Sequence, residues 1–487
     1  MTNEDLVAKV WNYAHVLREE GVSYGDYVEQ ITYLLFLKMD DERQKLLGEP
    51  SIIPPGSRWA DLRGLSGEDL EKHYRTTLDG LGKSSGLVGT LFRGAQNKIA
   101  SPARLTKLVS LIDAETWMGL EMDTKGEIYE GLLERNASEI KSGAGQYFTP
   151  RPVIEAIVEC VAPKIGKTVH DPACGTGGFL LSAYEYMKRQ ATGDREQTKK
   201  LRESTFSGHD IVGEVVRLAA MNLYLHGIGN GESPIDNRDA LSRPDGPYDV
   251  ILTNPPFGKK SSFKVIGDDG AVSTETESYE REDFKYTTSN KQLNFLQHIM
   301  SVLAVNGEAA VVLPDNVLFE AGQAGEGIRK RLLNQFEFHT LLRLPTGIFY
   351  KQGVKANVLF FTKRAASMEK QTSQLWIHDL RTNMNFTLKK NRLARSDLDE
   401  FVANYKSGAR HKRKETERFR AFAYDDLMAR DKTNLDIFWL KDDSLEDVDA
   451  LPSPDIIAAS IVENLREALE QFADVAQELV EVDESLA

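Results

Sequence analysis

The sequence is poor in cysteine, in long apolar runs and in positive charge, and each shortage excludes a class of protein. Cys160 and Cys174 are the only cysteines among 487 residues, so we expect reduced thiols and no zinc or other metal site. No stretch approaches the roughly 18 to 20 apolar residues of a membrane-spanning helix. The first residues, MTNEDLVAKV, are acidic and lack a signal-peptide pattern, which predicts a cytoplasmic protein without a membrane partner.

Acidic residues outnumber basic ones, and the formal net charge is −14. Duplex nucleic acid is bound largely through lysine and arginine side chains that neutralise phosphates. A chain of this charge that acted on a duplex would therefore need a partner to hold it. The main basic cluster is Arg410-His411-Lys412-Arg413-Lys414, for which a solvated loop and a nucleic-acid or partner contact both stay open.

A glycine-rich stretch, Asp171–Leu180 (DPACGTGGFL), lies between a short apolar strand at Thr168 and Val169 and an apolar helix, Phe179 to Met187. Glycines let the backbone approach a ligand and adopt positive φ without cost, and doubly wound sheets bind ligands at such turns. A dinucleotide site would need glycine in place of Leu180, and the lysine of an NTPase phosphate loop is missing. A nucleoside without phosphates fits better, and S-adenosylmethionine is the predicted ligand.

A second stretch, Asn254-Pro255-Pro256-Phe257, follows the apolar strand Tyr248–Thr253, which is typical of a strand buried on both faces. The two prolines fix the backbone, so the Asn254 amide oxygen and the Pro255 carbonyl oxygen are held still. An exocyclic NH₂ donates two hydrogen bonds and suits these two acceptors. The aromatic face of Phe257 suits a base swung out of the stack. These features favour methylation of an amino group on a base.

Together with GQYFTPRP upstream (residues 145–152), these stretches resemble the adenine-N6 DNA methyltransferases. The full pattern, over roughly residues 1 to 480, is similar to the modification subunit of type I restriction–modification systems. The resemblance implies methyl transfer from S-adenosylmethionine to the N6 amino group of an adenine flipped out of double-stranded DNA. It also implies three partners: a DNA-specificity subunit, a second copy of this chain, and a restriction (nuclease/translocase) subunit. The absence of a zinc finger, helix-turn-helix or basic recognition stripe agrees with sequence reading by a separate subunit.

The predicted site residues form two sets, and neither contains a metal ligand. The catalytic set is Asn254, Pro255, Pro256 and Phe257. The cofactor-binding set is Gln146, Tyr147, Phe148, Thr149, Pro150, Arg151, Asp171, Ala173, Gly175, Thr176, Gly177, Gly178, Asp210 and Asp239.

The resemblance places the Gln-Tyr-Phe-Thr-Pro element (residues 146–150) against the methionine end of the cofactor. Thr149 and nearby backbone NH groups would hold the carboxylate where a helix begins near Pro152, because the helix dipole favours an anion there. The alternative is that Thr149 is only the N-cap of this helix.

Acids end the next two predicted strands. Asp210 is placed where a carboxylate accepts both ribose hydroxyls, with Glu214 as a competitor because the resembling family more often has glutamate. Capping of the helix from Val215 to His226 is the structural alternative for Asp210. The resemblance implies that Asp239 accepts the adenine amino group of the cofactor, and a loop-capping acid is the alternative.

Strands and helices alternate over residues 165–345, which predicts an α/β fold with a doubly wound, mainly parallel, Rossmann-like methyltransferase sheet. The close spacing of the apolar runs 358–362 and 375–378 suggests an antiparallel edge. The 3- and 4-residue spacing of apolar residues near the start, as in Leu6, Val10 and Leu17, predicts an N-terminal helical domain.

The predicted domains are residues 1–140, helical; 141–400, the methyltransferase core; and 401–487, a C-terminal extension with a helical tail. A helix is expected over about 453–482, with a three-heptad apolar seam that packs on its own chain or on a partner's helix. The seam residues are Ala458, Ile461, Leu465, Ala468, Phe472, Val475 and Leu479.

Two loops beside the predicted site are open to interpretation. Seven acids lie between Asp268 and Asp283, which favours a mobile insert over about 259–290 that is either a lid or simply disordered. Phe349 and Tyr350 either help to sandwich the base or pack in the interior.

Three other functions compete with adenine methylation. Transfer to N4 of cytosine uses the same geometry, although asparagine rather than serine at position 254 favours adenine. Methylation of a glutamine side chain in a protein also uses an NPP-aromatic loop. From a different class, the chain would be a binding subunit that keeps the fold as a scaffold, which its complete glycine turn and Asn254 loop disfavour.

Overall fold

The computed structural model describes residues 24–48, 50–117, 149–191, 193–229, 231–257, 262–266, 272–276, 278–349, 354–388, 390–441, 454–462, 465, 466 and 469. These residues form two compact units. The first unit contains the described residues of Met1–Phe148 and Pro163–Ala240, and the second those of Thr149–Ala162 and Leu241–Ala487. The chain therefore enters the second unit briefly before it completes the first.

The helices and strands are numbered along the chain. The helices are α1 (Tyr24–Glu42), α2 (Trp59–Arg63), α3 (Gly67–Leu81), α4 (Gly86–Phe92), α5 (Pro102–Asp113), α6 (Arg151–Val161), α7 (Gly178–Lys188), α8 (Arg195–Glu203), α9 (Gly213–Leu225), α10 (Lys291–Val302), α11 (Asn316–Phe319), α12 (Gly322–Gln335), α13 (Asp399–Tyr405) and α14 (Tyr424–Ala429). The strands are β1 (Val169–Asp171), β2 (Phe206–Asp210), β3 (Ile235–Asn237), β4 (Tyr248–Thr253), β5 (Ser262–Ile266), β6 (Val272–Thr276), β7 (Leu303–Pro314), β8 (Phe336–Arg343), β9 (Ala356–Lys363), β10 (Gln374–Asp379) and β11 (Phe419–Ala423).

The N-terminal part of the first unit is helical, as the sequence predicts. Apolar residues at helical spacing make one face of α3 buried, including Leu70, Tyr74, Leu78 and Leu81. They belong to a core shared by α1, α4 and α5, to which α9 contributes residues such as Met221. The helix predicted from Leu6 to Leu17 lies outside the described residues.

The three strands of the first unit pair in parallel in the order β1-β2-β3. Val169 lies beside Phe206, and Asp210 lies beside Asn237. Because parallel strands end at the same edge of a sheet, Asp171, Asp210 and Asn237 lie along one edge, where α7 and α9 also begin.

The strands of the second unit follow the order β11-β10-β8-β9-β7-β4. β4 is parallel to β7 and β8 is parallel to β10, whereas β9 runs antiparallel to both β7 and β8, and β11 is antiparallel to β10. The predicted α/β fold is confirmed, with a mixed sheet. The antiparallel edge is formed by β10 and β11 and not, as predicted, by the runs 358–362 and 375–378 together: β9 lies inside the sheet, antiparallel to β7 and β8, and does not pair with β10.

Helices α10 and α12 supply much of the apolar core of the second unit. Leu296 and Ile299 of α10 are fully buried against strand residues such as Val311, so α10 covers a face of the sheet. Among the described residues, no helix is both long enough and apolar enough to cross a membrane. Cys160 and Cys174 are buried free thiols, and burial raises the pKa of both well above the usual value.

The polar segment predicted as a mobile insert contains the antiparallel hairpin β5–β6. Residues 278–290 are anchored on α10. The Gln297 side chain accepts a hydrogen bond from Tyr286 N and donates one to Tyr286 O, at 3.0 and 2.8 Å. Asn294 donates to Thr288 O at 2.7 Å. This part of the segment is therefore held in place by side chains that are themselves fully buried.

Candidate active site

The glycine turn of the first unit is built on a buried acid at the end of β1. Asp171 Oδ1 accepts a hydrogen bond from Ala173 N at 3.0 Å, and Gly177 N donates to Cys174 O at 2.8 Å. Gly175 and Gly177 have φ values of 52° and 84°, which side chains rarely adopt. A Cβ placed on Gly175 would have no atom of the described residues within 4 Å, apart from its chain neighbours, so these residues leave this face of the turn open to a ligand.

The back of the turn is held by α9. Asn222 Nδ2 donates to Thr176 O at 3.0 Å, and a Cβ on Gly177 would lie 3.6 Å from the Leu223 side chain. Helix α7 then begins at Gly178, and its N-cap residue is Gly177, which has no side chain. The N-cap residue therefore cannot cap the first backbone NH groups of α7 with a side chain.

Asp210, at the end of β2, is hydrogen-bonded both to the glycine turn and to the loop that follows β2. Its Oδ2 accepts from Gly175 N at 3.2 Å, and its Oδ1 accepts from Val212 N at 2.9 Å. Burial raises the pKa of this carboxyl, and the backbone donors act in the opposite direction. Asp210 is not the N-cap of α9, because Val212 occupies that position.

The competing acid, Glu214, lies in the first turn of α9. Burial and the nearby Glu29 raise its pKa, while Arg217 and Lys98 lower it. Glu214 therefore belongs to an electrostatic cluster with residues of the N-terminal helices, whereas Asp210 bonds directly to the glycine turn.

Two apolar residues beside Asp210 were missed by the sequence reasoning. Ile211 is 69 % exposed and Val212 is 39 % exposed. An aliphatic residue directly after the acid that ends a strand is the sequence signal that would have found them. Asp239 follows β3 and is half-buried. The first unit thus brings Asp171, Asp210 and the glycine turn together at one sheet edge.

In the second unit, the Asn254 side chain is held at one end only. Its Nδ2 donates to Thr149 Oγ1 at 2.8 Å, and Thr149 is only 8 % exposed. Its Oδ1 is buried and has no hydrogen-bond partner among the described residues. A buried amide oxygen without a donor is costly, because it loses water and gains nothing in exchange.

The rest of the loop is fixed by neighbours. Pro255 is buried, and the Pro256 carbonyl accepts from Gln292 Nε2 of α10 at 3.3 Å. Phe257 is 6 % exposed and packs edge-on against Phe349, with ring centroids 5.8 Å apart. Phe349 thus has the packing role, and Tyr350 lies outside the described residues.

Of the predicted cofactor contacts in the upstream element, the structure describes Thr149, Pro150 and Arg151, at the start of α6. Pro150 is the N-cap of α6, so the capping alternative for Thr149 is wrong. Thr149 instead contacts Asn254, a residue of the predicted catalytic set. Arg151 pairs with Glu155 on the surface at 3.1 Å. Residues 146–148, which are Gln146, Tyr147 and Phe148, lie outside the described residues.

Comparisons with known proteins show the family of this chain. The N-6 DNA Methylase family model matches residues 120–439, and the HsdM N-terminal domain model matches residues 6–112. The chain is 38 % identical to the type I restriction enzyme StySPI methylase subunit of Salmonella potsdam, over 100 % of this chain and 97 % of that protein. Identity to the EcoKI methylase subunit of Escherichia coli K12 is also 38 %, with the same coverage.

Solved structures give the same result. The crystal structure of the EcoKI M protein matches with a TM-score of 0.53 and 34 % identity, over 98 % of this chain and 96 % of that chain. A modification subunit of a putative type I restriction enzyme from Vibrio vulnificus matches with a TM-score of 0.71 and 27 % identity, over 89 % and 95 %. The resemblance seen in the sequence motifs is confirmed: the chain belongs to the N-6 DNA methylases, as a methylase (modification) subunit of the type I restriction-enzyme kind.

Proposed function

We propose that this chain transfers the methyl group of S-adenosylmethionine to the N6 amino group of an adenine in duplex DNA, with Asn254 as the central catalytic residue. The observation that carries the proposal is the buried Oδ1 of Asn254, which has no hydrogen-bond partner in the described part of the chain, while its Nδ2 already donates to Thr149. The hydrogen-bonding capacity of such an oxygen is satisfied only when a donor binds, and the amino group of adenine is a donor.

The residues of the glycine turn fit S-adenosylmethionine. The open face at Gly175 admits a ligand close to the backbone, and Asp210 would accept the ribose hydroxyls through the lone pairs that its two backbone bonds leave available. Ile211 would offer an exposed aliphatic surface to the adenine ring of the cofactor. Asp239 would accept a hydrogen bond from the amino group of that ring. When bound, this molecule supplies an electrophilic methyl group on a positively charged sulfur.

The acceptor nitrogen is a poor nucleophile because its lone pair is delocalised into the purine ring. Asn254 Oδ1 and the Pro255 carbonyl would accept hydrogen bonds from its two N–H groups as positive charge develops on nitrogen, which favours the tetrahedral form. The N–C bond forms as the S–C bond breaks, S-adenosylhomocysteine leaves as a neutral thioether, and one N6 proton passes to solvent. This arrangement needs no strong general base. Further acceleration would come from alignment of the two reactants, with the methyl carbon and the N6 nitrogen about 3 to 3.5 Å apart and in line with the sulfur.

Phe257 is proposed to stack on the flipped adenine. Its ring is already packed against Phe349, so a base would meet a fixed surface. Because only 6 % of Phe257 is exposed, stacking requires the base to displace what covers this ring.

We propose that the protein works in a complex with a DNA-specificity subunit, a second copy of this chain and a restriction subunit. The net charge of −14 supports help from a partner in holding DNA. Residues 454–462 are helical, and Ile461, Leu465 and Leu469 of the predicted seam are exposed by 52, 63 and 70 %. An exposed apolar stripe supports packing on a partner's helix. The domain limits at 140 and 400 and the cytoplasmic location also stay proposals.

The test is methyl transfer by the complex of this chain with its specificity subunit. Tritiated S-adenosylmethionine and duplex DNA are supplied, and the labelled nucleosides are separated after digestion. We expect the label in N6-methyladenine. Label in N4-methylcytosine, or in a glutamine of a protein substrate, would contradict the proposal, and no transfer at all would favour a binding subunit.

A further inference from the structure

We propose that Thr149 is a positioning residue for methyl transfer, which fixes the orientation of the Asn254 side-chain amide. This inference rests on the proposed function of Asn254 and adds a second residue to it. The contact joins two segments 105 residues apart in the chain, with Nδ2 of Asn254 donating to Oγ1 of Thr149 at 2.8 Å.

An asparagine side chain has two ends of similar shape and opposite hydrogen-bonding character. If the amide turned over, its NH₂ would replace the oxygen that is to accept from the amino group, and two donors would face each other. Catalysis by Asn254 therefore requires something that holds the NH₂ end elsewhere. The Thr149 hydroxyl oxygen accepts from this end and leaves Oδ1 as the end without a partner among the described residues.

Thr149 is well placed to hold a fixed direction. Its side chain is β-branched, which restricts χ1, and the following Pro150 restricts the backbone of Thr149 itself. Helix α6 starts immediately afterwards and buries Val153 and Ile157 completely. Thr149 therefore directly precedes the N-cap of an anchored helix, and the residue is 8 % exposed.

A second contact holds the other side of the same loop. Gln292, in the first turn of α10 and 4 % exposed, donates to the Pro256 carbonyl at 3.3 Å. Thr149, two residues before α6, and Gln292 of α10 thus hold the loop on either side of Pro255, whose carbonyl is the other proposed acceptor. With Gln292 holding the backbone, the orientation of the Asn254 amide is the remaining freedom that Thr149 removes.

The positioning role and the carboxylate-binding role predicted for Thr149 differ in their kinetic consequences. A hydroxyl that holds the cofactor contributes to its affinity, so its loss raises the Kd for S-adenosylmethionine. A hydroxyl that orients Asn254 acts only on the transfer step, so its loss lowers kcat and leaves that Kd unchanged.

The experiment compares Thr149→Val, which replaces the hydroxyl by a methyl group of similar size, with Thr149→Ser, which keeps the hydroxyl. Both variants are assembled with the partner subunits. Single-turnover transfer at saturating cofactor and equilibrium dialysis of labelled cofactor are measured. We expect about a tenfold slower transfer for Thr149→Val, as for a modest misplacement of a catalytic group. Thr149→Ser should stay within about threefold, and the Kd of both within about twofold of the wild type.

A third variant separates positioning from packing. Asn254→Ser has no side-chain amide to orient, so adding Thr149→Val to it should slow the remaining transfer by less than about twofold. A full tenfold loss in this background would show that Thr149 acts on something other than Asn254, and would overturn the inference.

Other outcomes also overturn it. A raised cofactor Kd with normal transfer for Thr149→Val would assign Thr149 to the cofactor, and equal losses for the valine and serine variants would assign it to packing. Transfer at the wild-type rate with Thr149→Val would refute positioning while Asn254→Ala still tests the proposed function. Wild-type transfer by Asn254→Ala would instead refute that function itself.

Discussion

The glycine turn of the first unit and the Asn254 loop of the second unit differ in how completely their polar groups are paired. In the turn, the Asp171 carboxylate accepts a hydrogen bond from the backbone NH of Ala173. The Asp210 carboxylate accepts hydrogen bonds from the backbone NH groups of Gly175 and Val212. In the loop, the NH₂ of Asn254 is bound but its oxygen is buried without a partner among the described residues.

The difference separates two ways of preparing a site. A turn whose acids already accept hydrogen bonds from its backbone keeps its shape without ligand, so binding costs little reorganisation. A loop with an unpaired buried acceptor carries a cost that a correct substrate removes, and a group at that position interacts most strongly with charge that develops during the reaction. We therefore expect changes in the turn to alter affinity and changes in the loop to alter the rate of transfer.

The largest expected effect comes from removing the unpaired oxygen. Asn254→Ala should slow single-turnover transfer by at least about a hundredfold, the typical loss for one preorganised polar contact. The Kd for S-adenosylmethionine should stay within about twofold. Rapid-quench transfer to DNA and equilibrium dialysis measure the two quantities. A loss of affinity with a normal rate would remove the distinction between loop and turn.

The next effect tests the turn. Asp210→Ala should raise the Kd for S-adenosylmethionine by about tenfold, because a charged hydrogen-bonding group is worth about 1.5 kcal/mol or more and 1.4 kcal/mol is tenfold. Transfer at saturating cofactor should be nearly normal.

Glu214→Gln is the matched control for Asp210, since Glu214 competes for the same ribose role but lies among Glu29, Arg217 and Lys98. The Kd of the Glu214→Gln variant for S-adenosylmethionine, measured by equilibrium dialysis, should equal that of the wild type. A greater loss of affinity with Glu214→Gln than with Asp210→Ala would reverse the assignment of the ribose acceptor.

A smaller effect is expected at the second contact of the loop. Gln292→Leu removes the donor to the Pro256 carbonyl and should slow transfer by about threefold, because the two prolines still restrain the loop. Single-turnover kinetics measure this change. A loss as large as that of Asn254→Ala would mean that Gln292 does more than support the backbone.

Acid should weaken the second unit without direct action on the loop. Burial lowers the pKa of His339 and of His378 to about 4. Above the ordinary pKa of 6.5 both are neutral whether folded or unfolded, and below it only the unfolded chain gains the proton, so stability falls as the pH falls from 6.5 toward 4. The loss between pH 6.5 and 5.5 should be about 1 kcal/mol for each histidine.

This acid effect is measured by hydrogen exchange of the β10 amides in urea. His378→Leu, which replaces a ring without hydrogen-bond partners among the described residues, should remove about half of the pH dependence. An unchanged slope would exclude His378 as a source. The same measurement shows how much of the activity that is lost in acid is due to unfolding.

The sequence was sufficient for the features that local pattern determines. The glycine turn, the strand before Asn254 and the helical front region follow from spacing and residue type, and the structure has them at the expected places. The position of β9 between β7 and β8 did not follow, because the order of strands in a sheet depends on contacts between distant segments.

Thr149 shows the same limit within the site. Its position before a helix predicted an anion contact or a cap, but gave no sign of its contact with a side chain 105 residues away. The basic run at 410–414 is a further case. Arg410 and Arg413 turn inward, Arg410 to Glu308 and Arg413 to the carbonyl of His339.

Within that run only His411, Lys412 and Lys414 are exposed, so both interpretations, a solvated loop and a nucleic-acid or partner contact, concern these three residues alone. Charge patterning along the chain cannot distinguish the two groups, because the acid and carbonyl that bind the arginines are remote in sequence.

The path of the chain between the two units limits how such enzymes can recombine. Residues Thr149–Ala162 belong to the second unit, although Pro163–Ala240 return to the first. A chimera made with one junction near residue 240 would take Thr149 from one parent and Asn254 from the other, and the pair would meet only if both parents had matched them independently. An exchange of the first unit that keeps Thr149 and Asn254 from one parent therefore requires junctions near 148, 163 and 241.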